Sequence, residues 1–492
     1  MKNKTKKIGL LLVSLLLPVV IGFAHNVMAD NTTMLTEQGV LTVTGVDGGD
    51  VLTAYKVLDV FRNDTTNEMS YEFTNDFKAF LAQSENYSTL TVDEYYKLTS
   101  GDIASGSTKT NSTLDSLASA YASYVKKNSV VGIDMTTTDT TATLTTNVGT
   151  YLILPKTTKR VYAVMVGNLD YKEQDGTWVK QDANITAKVS DASVTKTVGT
   201  KDNKTASFRS NQEFTYYITG TVPAFPTNAT NKTYVIKDTL STGLTHSGIE
   251  SIVVEDGETE LTIAANGKVT DATGNTVATI VLEGQNMTIT FDVTHITSTE
   301  VNVTYKAKLN NQAVLGEAGN TNNVVLTYAN DPYATGNYTT SGETATVYTY
   351  GLKILKYRAG DTAKTGLTGA EFDIYTDREL TKKIGSLTTD STGNATYRSL
   401  AEGTYYLKET KAPTGYRLAT TAIEVTIDKD NIENAGTDEG YQLVEITNQK
   451  VGILPFTGGI GTIVYTASGL AIIGIAAVGI VTYRKKTKKI TF

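Results

Sequence analysis

Residues 141–154 read TATLTTNVGTYLIL, and the same texture returns in NMTITFDVTHI at 286–296 and NVTYKAKL at 302–309. In each stretch apolar side chains alternate with polar ones, and Thr, Val, Ile and Tyr are frequent. A period of two places the apolar side chains on one face of a β-strand, and β-branched and aromatic residues favour strands. Turn-forming glycine pairs interrupt these stretches, so the pattern predicts a mainly β chain of short strands.

Strands with this spacing predict tandem immunoglobulin-like β-sandwich domains. Two early segments differ from the rest, because residues 73–101 and 112–127 space Phe, Leu, Ala and Tyr as an amphipathic helix does. We therefore expect the first domain to contain two or three short helices.

Composition limits the possible functions of this 492-residue chain, which is long enough for about three domains. The net charge of -7 argues against nucleic acid as a partner. The chain has no cysteine, and its three histidines are scattered at His25, His246 and His295. Disulfides, thiolate sites and cysteine nucleophiles are thereby excluded, and we expect neither a metal nor a cofactor.

The amino terminus has the pattern of an export signal. The basic stretch MKNKTKK precedes an apolar run from Ile8 to Ala24, and Val27-Met28-Ala29 supplies small or modest side chains before Asp30. We predict a signal peptide at 1–29, cleaved after Ala29. The alternative is a retained membrane anchor, for which the interrupted run is short.

The carboxyl terminus combines three features. Leu454-Pro455-Phe456-Thr457-Gly458 precedes an uncharged apolar run at 460–483, which is long enough to span a bilayer. Lysines and Arg484 follow the run, so the tail is expected to stay in the cytoplasm. On physical grounds alone, this is a membrane anchor.

This order of features resembles the cell-wall sorting signal of Gram-positive surface proteins, whose general form is Leu-Pro-any-Thr-Gly. The resemblance implies that a sortase cleaves between Thr457 and Gly458 and transfers the threonine acyl group to an amine. Residues 451–492 are therefore predicted to be a sorting signal, and the mature protein is predicted to be secreted and anchored to peptidoglycan.

Two lysine-bearing strands mark the predicted domain boundaries near Ser190 and Tyr350. ASVTKTV contains Lys196, and YGLKILKY contains Lys353 and Lys356. We call residues 30–190, 191–350 and 351–450 the first, middle and third domains. A lysine inside an apolar strand pattern is costly to bury unpaired, so the simplest interpretation is that each faces solvent.

The third domain closely resembles the collagen-adhesin B-type domain of Gram-positive surface proteins. The resemblance rests on GLTGAEFDIY at 366–375, YRSLAEGTYYLKETKAPTGY at 397–416 and YQLVEITNQK at 441–450. It implies a covalent bond between a lysine of the first strand and the Asn that ends the last, with the Glu of ETKAP as catalyst. The matching residues are Lys356, Asn448 and Glu409, and Lys353 is an alternative to Lys356.

Amide formation explains why these residue types are needed together. Burial disfavours an ammonium and lowers the pKa of a lysine, and it favours a protonated carboxyl. Glu409 is therefore expected to donate a hydrogen bond to the Asn448 carboxamide oxygen and to shuttle protons. Attack by the lysine then expels ammonia, once, within the same chain.

The middle domain resembles the second domain of major pilins. Lys196 lies in its first strand, Asp238 in VIKDTLSTGL and Asn322 in GNTNNVVLTYANDP. The resemblance implies lysine attack on the asparagine with help from the acid. A period of two places Asn322 on the buried face with Val324, and Asp238 has the alternative role of an ordinary turn residue.

Both bonds would join the first strand of a domain to its last. By analogy with a disulfide, a loop of more than about 100 residues gives about 4 to 5 kcal/mol of entropic stabilisation.

VLTVTGVDGGDVLTAYKVLDVF at 40–61 and GTYLIL at 149–154 resemble the amino-terminal domain of major pilins. There, Lys56 and Asn184 are candidates for a third bond.

Polymerisation requires an acceptor lysine, which the pilin resemblance places in a Tyr-Pro-Lys motif after a Trp. Trp178 is the single tryptophan, and Lys188 follows it in WVKQDANITAK, with Thr186-Ala187 where Tyr-Pro is expected. Lys188 is thus the predicted acceptor, with Lys156 and Lys180 as alternatives.

Together these resemblances imply a sortase-assembled major pilin, joined head to tail to other copies of itself and finally to peptidoglycan. Expected partners are sortase, minor pilins and a host surface ligand. The alternatives are a monomeric wall-anchored adhesin and a minor or basal pilin. An enzyme such as a glycosidase has no supporting motif, because Asp390 in TDSTGNATY is read as part of a hairpin turn.

Overall fold

The computed structural model of the protein describes residues 31–99, 111–226, 228–433 and 439–451. Strands dominate these ranges, as the alternating pattern predicted, and the mainly β fold class is confirmed. Three α-helices lie in the described part of the first domain, where two or three were expected.

The first domain combines strands of two larger sheets with these helices. Its elements are β1 (Thr32–Met34), β2 (Gln38–Thr44), β3 (Val51–Asn63), β4 (Met69–Phe73), α1 (Asn75–Gln83), α2 (Val92–Thr99), α3 (Asn111–Lys127), β5 (Ile133–Asp134), β6 (Thr136–Thr138), β7 (Thr141–Asn147), β8 (Gly149–Thr157), β9 (Val161–Tyr162), β10 (Met165–Gln174), β11 (Thr177–Gln181), β12 (Ala183–Thr186) and β13 (Val189–Ser190).

One sheet has the order β1-β3-β8-β10-β11, with β4 and β5 also paired to β3, and a second has the order β12-β2-β7-β6. Helix α1 begins after Thr74, whose hydroxyl accepts a hydrogen bond from Phe77 N at 3.4 Å, as an N-cap residue does. Phe77 also packs edge to face on Tyr121 of α3, with 4.7 Å between ring centroids. The helices are therefore held by a buried aromatic cluster.

The middle domain consists of strands in two sheets. Its elements are β14 (Ser193–Val198), β15 (Thr205–Ser207), β16 (Phe214–Thr221), β17 (Tyr234–Leu240), β18 (Leu244–His246), a 3-10 helix (Ile249–Ser251), β19 (Val253–Asp256), β20 (Thr259–Glu260), β21 (Thr262–Ile263), β22 (Lys268–Thr270), β23 (Thr276–Glu283), β24 (Asn286–Phe291), β25 (Glu300–Leu309), β26 (Asn320–Tyr328), β27 (Tyr338–Thr339) and β28 (Glu343–Tyr348).

The order in one sheet is β14-β16-β25-β19-β20, and in the other β15-β28-β26-β17-β24-β23-β22-β21. Strand β18 also pairs with β25, and β27 with β26. Alternate residues of β16, β17, β25 and β26 are buried and contribute to one hydrophobic core. The period of two in the sequence therefore gives the buried faces of both sheets.

The third domain contains β29 (Tyr350–Arg358), β30 (Glu371–Tyr375), β31 (Lys383–Thr388), β32 (Asn394–Leu400), β33 (Gly403–Lys411), β34 (Ile423–Ile427) and β35 (Tyr441–Asn448). Their sheet orders are β32-β29-β35 and β31-β30-β33-β34. By spatial clustering the chain divides into two compact units, one of residues up to 352 with 397–403 and 426–442, the other of 353–396, 404–425 and 443 onward.

The turn around Asp390 corrects one sequence prediction. Asp390 Oδ1 accepts hydrogen bonds from Thr392 N at 2.8 Å and Asn394 N at 3.0 Å, as a turn aspartate does. The flanking strands β31 and β32 belong to different sheets, however. The turn therefore connects two sheets and does not form a hairpin. A side chain at Gly393, which has a φ of 78°, would collide with Gly366.

The segment that follows β26 packs against the first domain. Asp331 Oδ2 lies 2.7 Å from Lys126 Nζ on α3, and Asn330 Nδ2 donates to Thr158 O at 2.5 Å. Tyr333 is 4% exposed and belongs to the same hydrophobic cluster as Phe77 and Tyr121. A side chain from beyond residue 190 thus completes a core made mostly by the first domain.

No helix among the described residues is long and apolar enough to cross a membrane. The predicted signal peptide at 1–29 and the predicted sorting signal, with Leu454, Pro455, Thr457, Gly458 and the apolar run at 460–483, lie outside the described residues.

Candidate functional site

The three residues predicted in the middle domain are all fully buried. Lys196, Asp238 and Asn322 each have 0% of their surface exposed. Lys196 lies on β14, whereas Asp238 and Asn322 lie on β17 and β26, which are neighbours in the other sheet. In that antiparallel pair Asp238 is opposite Val324 and Leu240 is opposite Asn322. Asp238 and Asn322 are therefore diagonal neighbours on one face.

Their side chains meet at a fourth residue. Lys196 Nζ donates to Asp238 Oδ1 at 2.5 Å and to the Tyr305 hydroxyl at 3.3 Å. The Tyr305 hydroxyl donates to Asp238 Oδ2, and Asn322 Nδ2 donates to the Tyr305 oxygen at 2.5 Å. The alternative role of Asp238 as a turn residue is wrong, because it lies buried within β17.

The third domain also brings its predicted residues together. Lys356 on β29, Glu409 on β33 and Asn448 on β35 are 0%, 2% and 3% exposed. Lys356 Nζ donates to Asn448 Oδ1 and lies 3.2 Å from Glu409 Oε1. Asn448 Nδ2 donates to Glu409 Oε1 at 2.9 Å, to Oε2 at 3.0 Å and to Arg417 O at 2.8 Å. Hydrogen bonds thus hold both the oxygen and the nitrogen of the Asn448 carboxamide.

Lys353 does not share this environment. Residues 350–358 alternate so that Leu352, Ile354 and Lys356 are buried, whereas Lys353 is partly exposed. Hydrogen bonds from Thr392 and Asn394 lower the pKa of Asp390, and the charge of Lys353 adds a smaller effect in the same direction. The solvent-facing interpretation is therefore wrong for Lys196 and Lys356, and Lys356 is the lysine next to Asn448.

Burial lowers the pKa of both buried lysines below the ordinary value of 10.5. Loss of water is the largest cause, and Asp238 or Glu409 opposes it by favouring the ammonium. Aromatic rings line both sites, with Lys196 Nζ 4.6 Å from the Tyr216 ring centroid and Lys356 Nζ 5.5 Å from that of Phe372. Burial at each site thus disfavours the ammonium relative to water, and the neutral amine is the nucleophilic form of lysine.

The contacts of Glu409 differ in one respect from the sequence expectation. We expected this carboxyl to meet the Asn448 oxygen, but its oxygens accept hydrogen bonds from the nitrogen. This nitrogen must leave as ammonia if an amide forms with Lys356. Glu409 is therefore placed to supply a proton to the leaving group.

The candidate pair in the first domain is not brought together. Lys56 Nζ forms an ion pair with Asp59 at 2.7 Å, on a strand of the sheet that contains β8. Asn184 is exposed and lies opposite Thr42 in the other large sheet. The structure does not support a Lys56–Asn184 bond, because Lys56 is paired with Asp59 and the Asn184 side chain is exposed rather than buried beside a lysine.

The three candidate acceptor lysines lie at different places on the first domain. Lys188 is partly exposed and directly precedes β13, and its carbonyl oxygen accepts from Ala163 N at 3.0 Å. Lys156 is 55% exposed in its ion pair with Asp134, and Lys180 is 28% exposed beside Glu37. The choice of Lys188 stays a prediction.

Sequence reasoning missed Tyr305. The stretch NVTYKAKL predicts that Tyr305 shares the buried face with Val303, and it is 1% exposed. The chain has 28 tyrosines, however, so nothing in the local pattern distinguishes this one. Among the described residues no group of side chains has the composition of a metal site.

Two family models match parts of the middle and third domains. Residues 212–332 match the Gram-positive pilin backbone subunit 2, Cna-B-like domain. Residues 351–440 match a prealbumin-like fold domain.

Two curated proteins are related in sequence. The trypsin-resistant surface T6 protein of Streptococcus pyogenes is 29% identical, in an alignment that covers 59% of this chain and 68% of the relative. The fimbrial subunit type 2 of Actinomyces naeslundii is 26% identical, with 64% of each chain covered.

Solved structures show the same fold at lower identity. The T6 backbone pilin of Streptococcus pyogenes, described as a modular three-domain structure, superposes with a TM-score of 0.66 at 21% identity, covering 85% of this chain and 99% of that one. The full-length major pilin SpaD of Corynebacterium diphtheriae gives 0.54 at 18% identity, covering 85% and 98%. The family model and the two sequence relatives confirm the predicted resemblance to Gram-positive pilins, and these structures show a shared fold.

Proposed function

We propose that this chain, whose middle domain is of Gram-positive pilin type, is the backbone subunit of a covalently polymerised pilus. Its relatives are a streptococcal surface protein and a fimbrial subunit, and its fold is that of backbone pilins. In this proposal the mature subunit is exposed on the cell surface as part of the pilus and does not turn over a substrate.

One observation carries the chemical part of the proposal. Two fully buried lysines each lie within hydrogen-bond contact of a carboxyl, and each of these sites also holds a buried asparagine side chain. An unlinked ammonium at either position has a large desolvation cost that one carboxylate only partly offsets. Conversion to an amide removes the charge and retains the packing.

In each reaction the neutral lysine nitrogen attacks the asparagine Cγ, and the new C–N bond replaces the bond to Nδ2. The attacking nitrogen loses a proton, the leaving nitrogen gains one, and ammonia departs, so atoms and charge balance. Asp238 and Glu409 are the proton carriers for the Lys196–Asn322 and Lys356–Asn448 bonds. Each reaction occurs once per chain.

Assembly between subunits is assigned to the sorting signal. Sortase cleaves between Thr457 and Gly458 and joins Thr457 to Lys188 of the next subunit, and the last subunit is joined to peptidoglycan. Minor pilins and a host surface ligand are the further partners of the assembled pilus. The motif Leu454-Pro455-Phe456-Thr457-Gly458 and its position before an apolar run and a basic tail support this part.

The chemical part is tested by mass spectrometry of the full chain, denatured and digested. Each linked peptide pair has a mass about 17 Da below the sum of its two peptides, because one ammonia is lost. Two separate peptides at each site, at their sequence masses, refute the amide bonds.

The assembly part is tested by electrophoresis of boiled cell-wall extracts. A ladder of high-mass bands is expected from a backbone pilin. A single wall-linked band supports a monomeric wall-anchored adhesin, and incorporation only into polymers of another subunit supports a minor or basal pilin.

A further inference from the structure

The Tyr305 hydroxyl is in contact with all three reacting groups of the middle domain. We propose that Tyr305 is a catalytic residue that relays a proton from Asp238 to the departing nitrogen of Asn322. This inference deepens the proposed function and depends on it.

The contacts form a continuous hydrogen-bonded path. Asn322 Nδ2 lies 2.5 Å from the Tyr305 oxygen, the Tyr305 hydroxyl donates to Asp238 Oδ2, and Asp238 Oδ1 lies 2.5 Å from Lys196 Nζ. Asn322 Oδ1 is buried without a hydrogen-bond partner among the described residues. The nitrogen end of this carboxamide is therefore held by Tyr305.

The third domain shows why the middle domain needs this intermediary. There Glu409 accepts directly from Asn448 Nδ2, at 2.9 and 3.0 Å. An aspartate side chain is one methylene shorter than a glutamate, and the Asp238 oxygens bond Lys196 and Tyr305 instead. The Tyr305 hydroxyl bridges the distance between the shorter Asp238 side chain and Asn322 Nδ2.

The proton path follows from the change in bonding at Asn322. When Lys196 Nζ adds to Cγ, Nδ2 loses its amide conjugation and becomes a hydrogen-bond acceptor. Asp238 takes, on Oδ1, the proton that the attacking nitrogen releases, and rotation of the carboxyl group about Cβ–Cγ turns this proton toward the Tyr305 oxygen. The Tyr305 hydroxyl passes its own proton to Nδ2 as it receives this one, and ammonia leaves. Tyr305 ends the reaction as it began.

The surrounding rings fix Tyr305 in position. Its ring stacks on Tyr216 with 5.4 Å between centroids and lies 5.1 Å from the His246 ring. Burial and the adjacent Asp238 carboxylate raise the pKa of Tyr305 well above 10, so a free phenolate is disfavoured. The two proton transfers at its oxygen are therefore expected to be concerted.

The test is Tyr305→Phe in the full chain, which retains the ring and removes the hydroxyl. The linked fraction at each site is followed by peptide mass spectrometry after synthesis. We expect the Lys196–Asn322 bond to form about 100-fold more slowly or not at all, in line with loss of an acid-base group. The Lys356–Asn448 bond in the same molecules should form at the wild-type rate.

Tyr121→Phe is the matched control. Its hydroxyl is buried in the first-domain core, outside the Lys196 site, without a hydrogen-bond partner among the described residues, so this variant should form both bonds normally. An equal rate of Lys196–Asn322 formation in Tyr305→Phe and Tyr121→Phe overturns the relay. If the wild type lacks both bonds, the proposed function itself fails, and this outcome is distinct from the previous one.

A second variant avoids any dependence on folding of Tyr305→Phe. A fluorinated tyrosine incorporated at position 305 retains the hydroxyl and nearly the same volume but makes the hydroxyl more acidic. Because the hydroxyl proton is transferred in the relay, the rate of middle-domain ammonia release should change. A rate identical to that of wild type overturns the inference.

Discussion

Lys356 and Asn448 are separated by 92 residues in sequence, and Lys356 Nζ nevertheless donates a hydrogen bond to Asn448 Oδ1 in the third domain. The lysine lies on the first strand of the domain and the asparagine ends the last. A bond between these two side chains would place nearly the whole domain inside one covalent loop.

The first prediction concerns Glu409, which contacts both partners. Glu409→Ala should leave Lys356 and Asn448 as separate peptides and so restore the mass of one ammonia, about 17 Da, because the proton donor for the leaving nitrogen is removed. The middle-domain bond in the same chain is the control and should remain. A persisting Lys356–Asn448 link in this variant would assign catalysis to another group.

The second prediction distinguishes the two lysines of β29. Lys356→Ala should abolish the third-domain bond, and Lys353→Ala should retain it, because the two side chains leave the strand on opposite faces. Loss of the bond should lower the free energy of unfolding by about 4 to 5 kcal/mol if the disulfide relation for loop closure applies. Denaturant unfolding measures this difference. Retention of the bond in Lys356→Ala together with its loss in Lys353→Ala would contradict the assignment.

The third prediction is a pH dependence in Asn322→Ala, which cannot form the middle-domain bond. The folded-state pKa of Lys196 is then below the unfolded value of about 10.5, so the unfolded chain binds more protons. Stability should therefore rise as the pH increases toward the unfolded-state pKa of about 10.5, by at most about 1.4 kcal/mol per pH unit. The amide in wild type does not titrate, so the stability deficit of Asn322→Ala relative to wild type should shrink over this range. A stability difference between Asn322→Ala and wild type that does not change with pH contradicts this prediction.

The fourth prediction concerns assembly. Lys188→Ala should abolish the high-mass ladder and leave secretion, folding and wall attachment of the monomer intact, because it removes only the acceptor amine. Thr457→Ala should abolish both the ladder and wall attachment. A ladder that persists in Lys188→Ala would transfer the role to Lys156 or Lys180, and its persistence without all three lysines would contradict the proposed polymer linkage.

The fifth prediction concerns Tyr333, whose side chain is buried among residues of the first domain. Tyr333→Ala should destabilise this region by about 3 to 5 kcal/mol, the range for removing a large buried side chain. Thr335→Ala is the control, since Thr335 is exposed two residues away. Equal unfolding midpoints for the two variants would show that Tyr333 adds nothing to the core.

Much of the two sites was predictable, because side chains alternate between the two faces of a strand and the pattern shows which of them are buried. It correctly placed Asn322 on the face of Val324, and the same alternation through Leu352 and Ile354 contained the signal for Lys356 over Lys353. The choice of Asp238 and Glu409 depended on family resemblance, because an acid in a strand pattern is locally ambiguous.

Other features depend on long-range packing that no local pattern encodes. Tyr305 contacts Lys196 across 109 residues and Asp238 across 67, and its own stretch resembles many other strands of the chain. The turn at Asp390 had the residues of a hairpin, but the sheets to which β31 and β32 belong are decided by their other partners. The pairing of Lys56 with Asp59 and the exposure of Asn184 likewise depend on how the first domain packs.

The position of Tyr333 also matters for genetic recombination and for the engineering of chimeric proteins. The first-domain core is discontinuous in sequence, since it includes a residue located after the last long strand of the middle domain. A genetic exchange with a junction near residue 190 would combine most of this core with a loop that evolved in another protein. We therefore expect natural recombinants and engineered chimeras to remain stable when residues 31–190 and 329–333 come from the same parent.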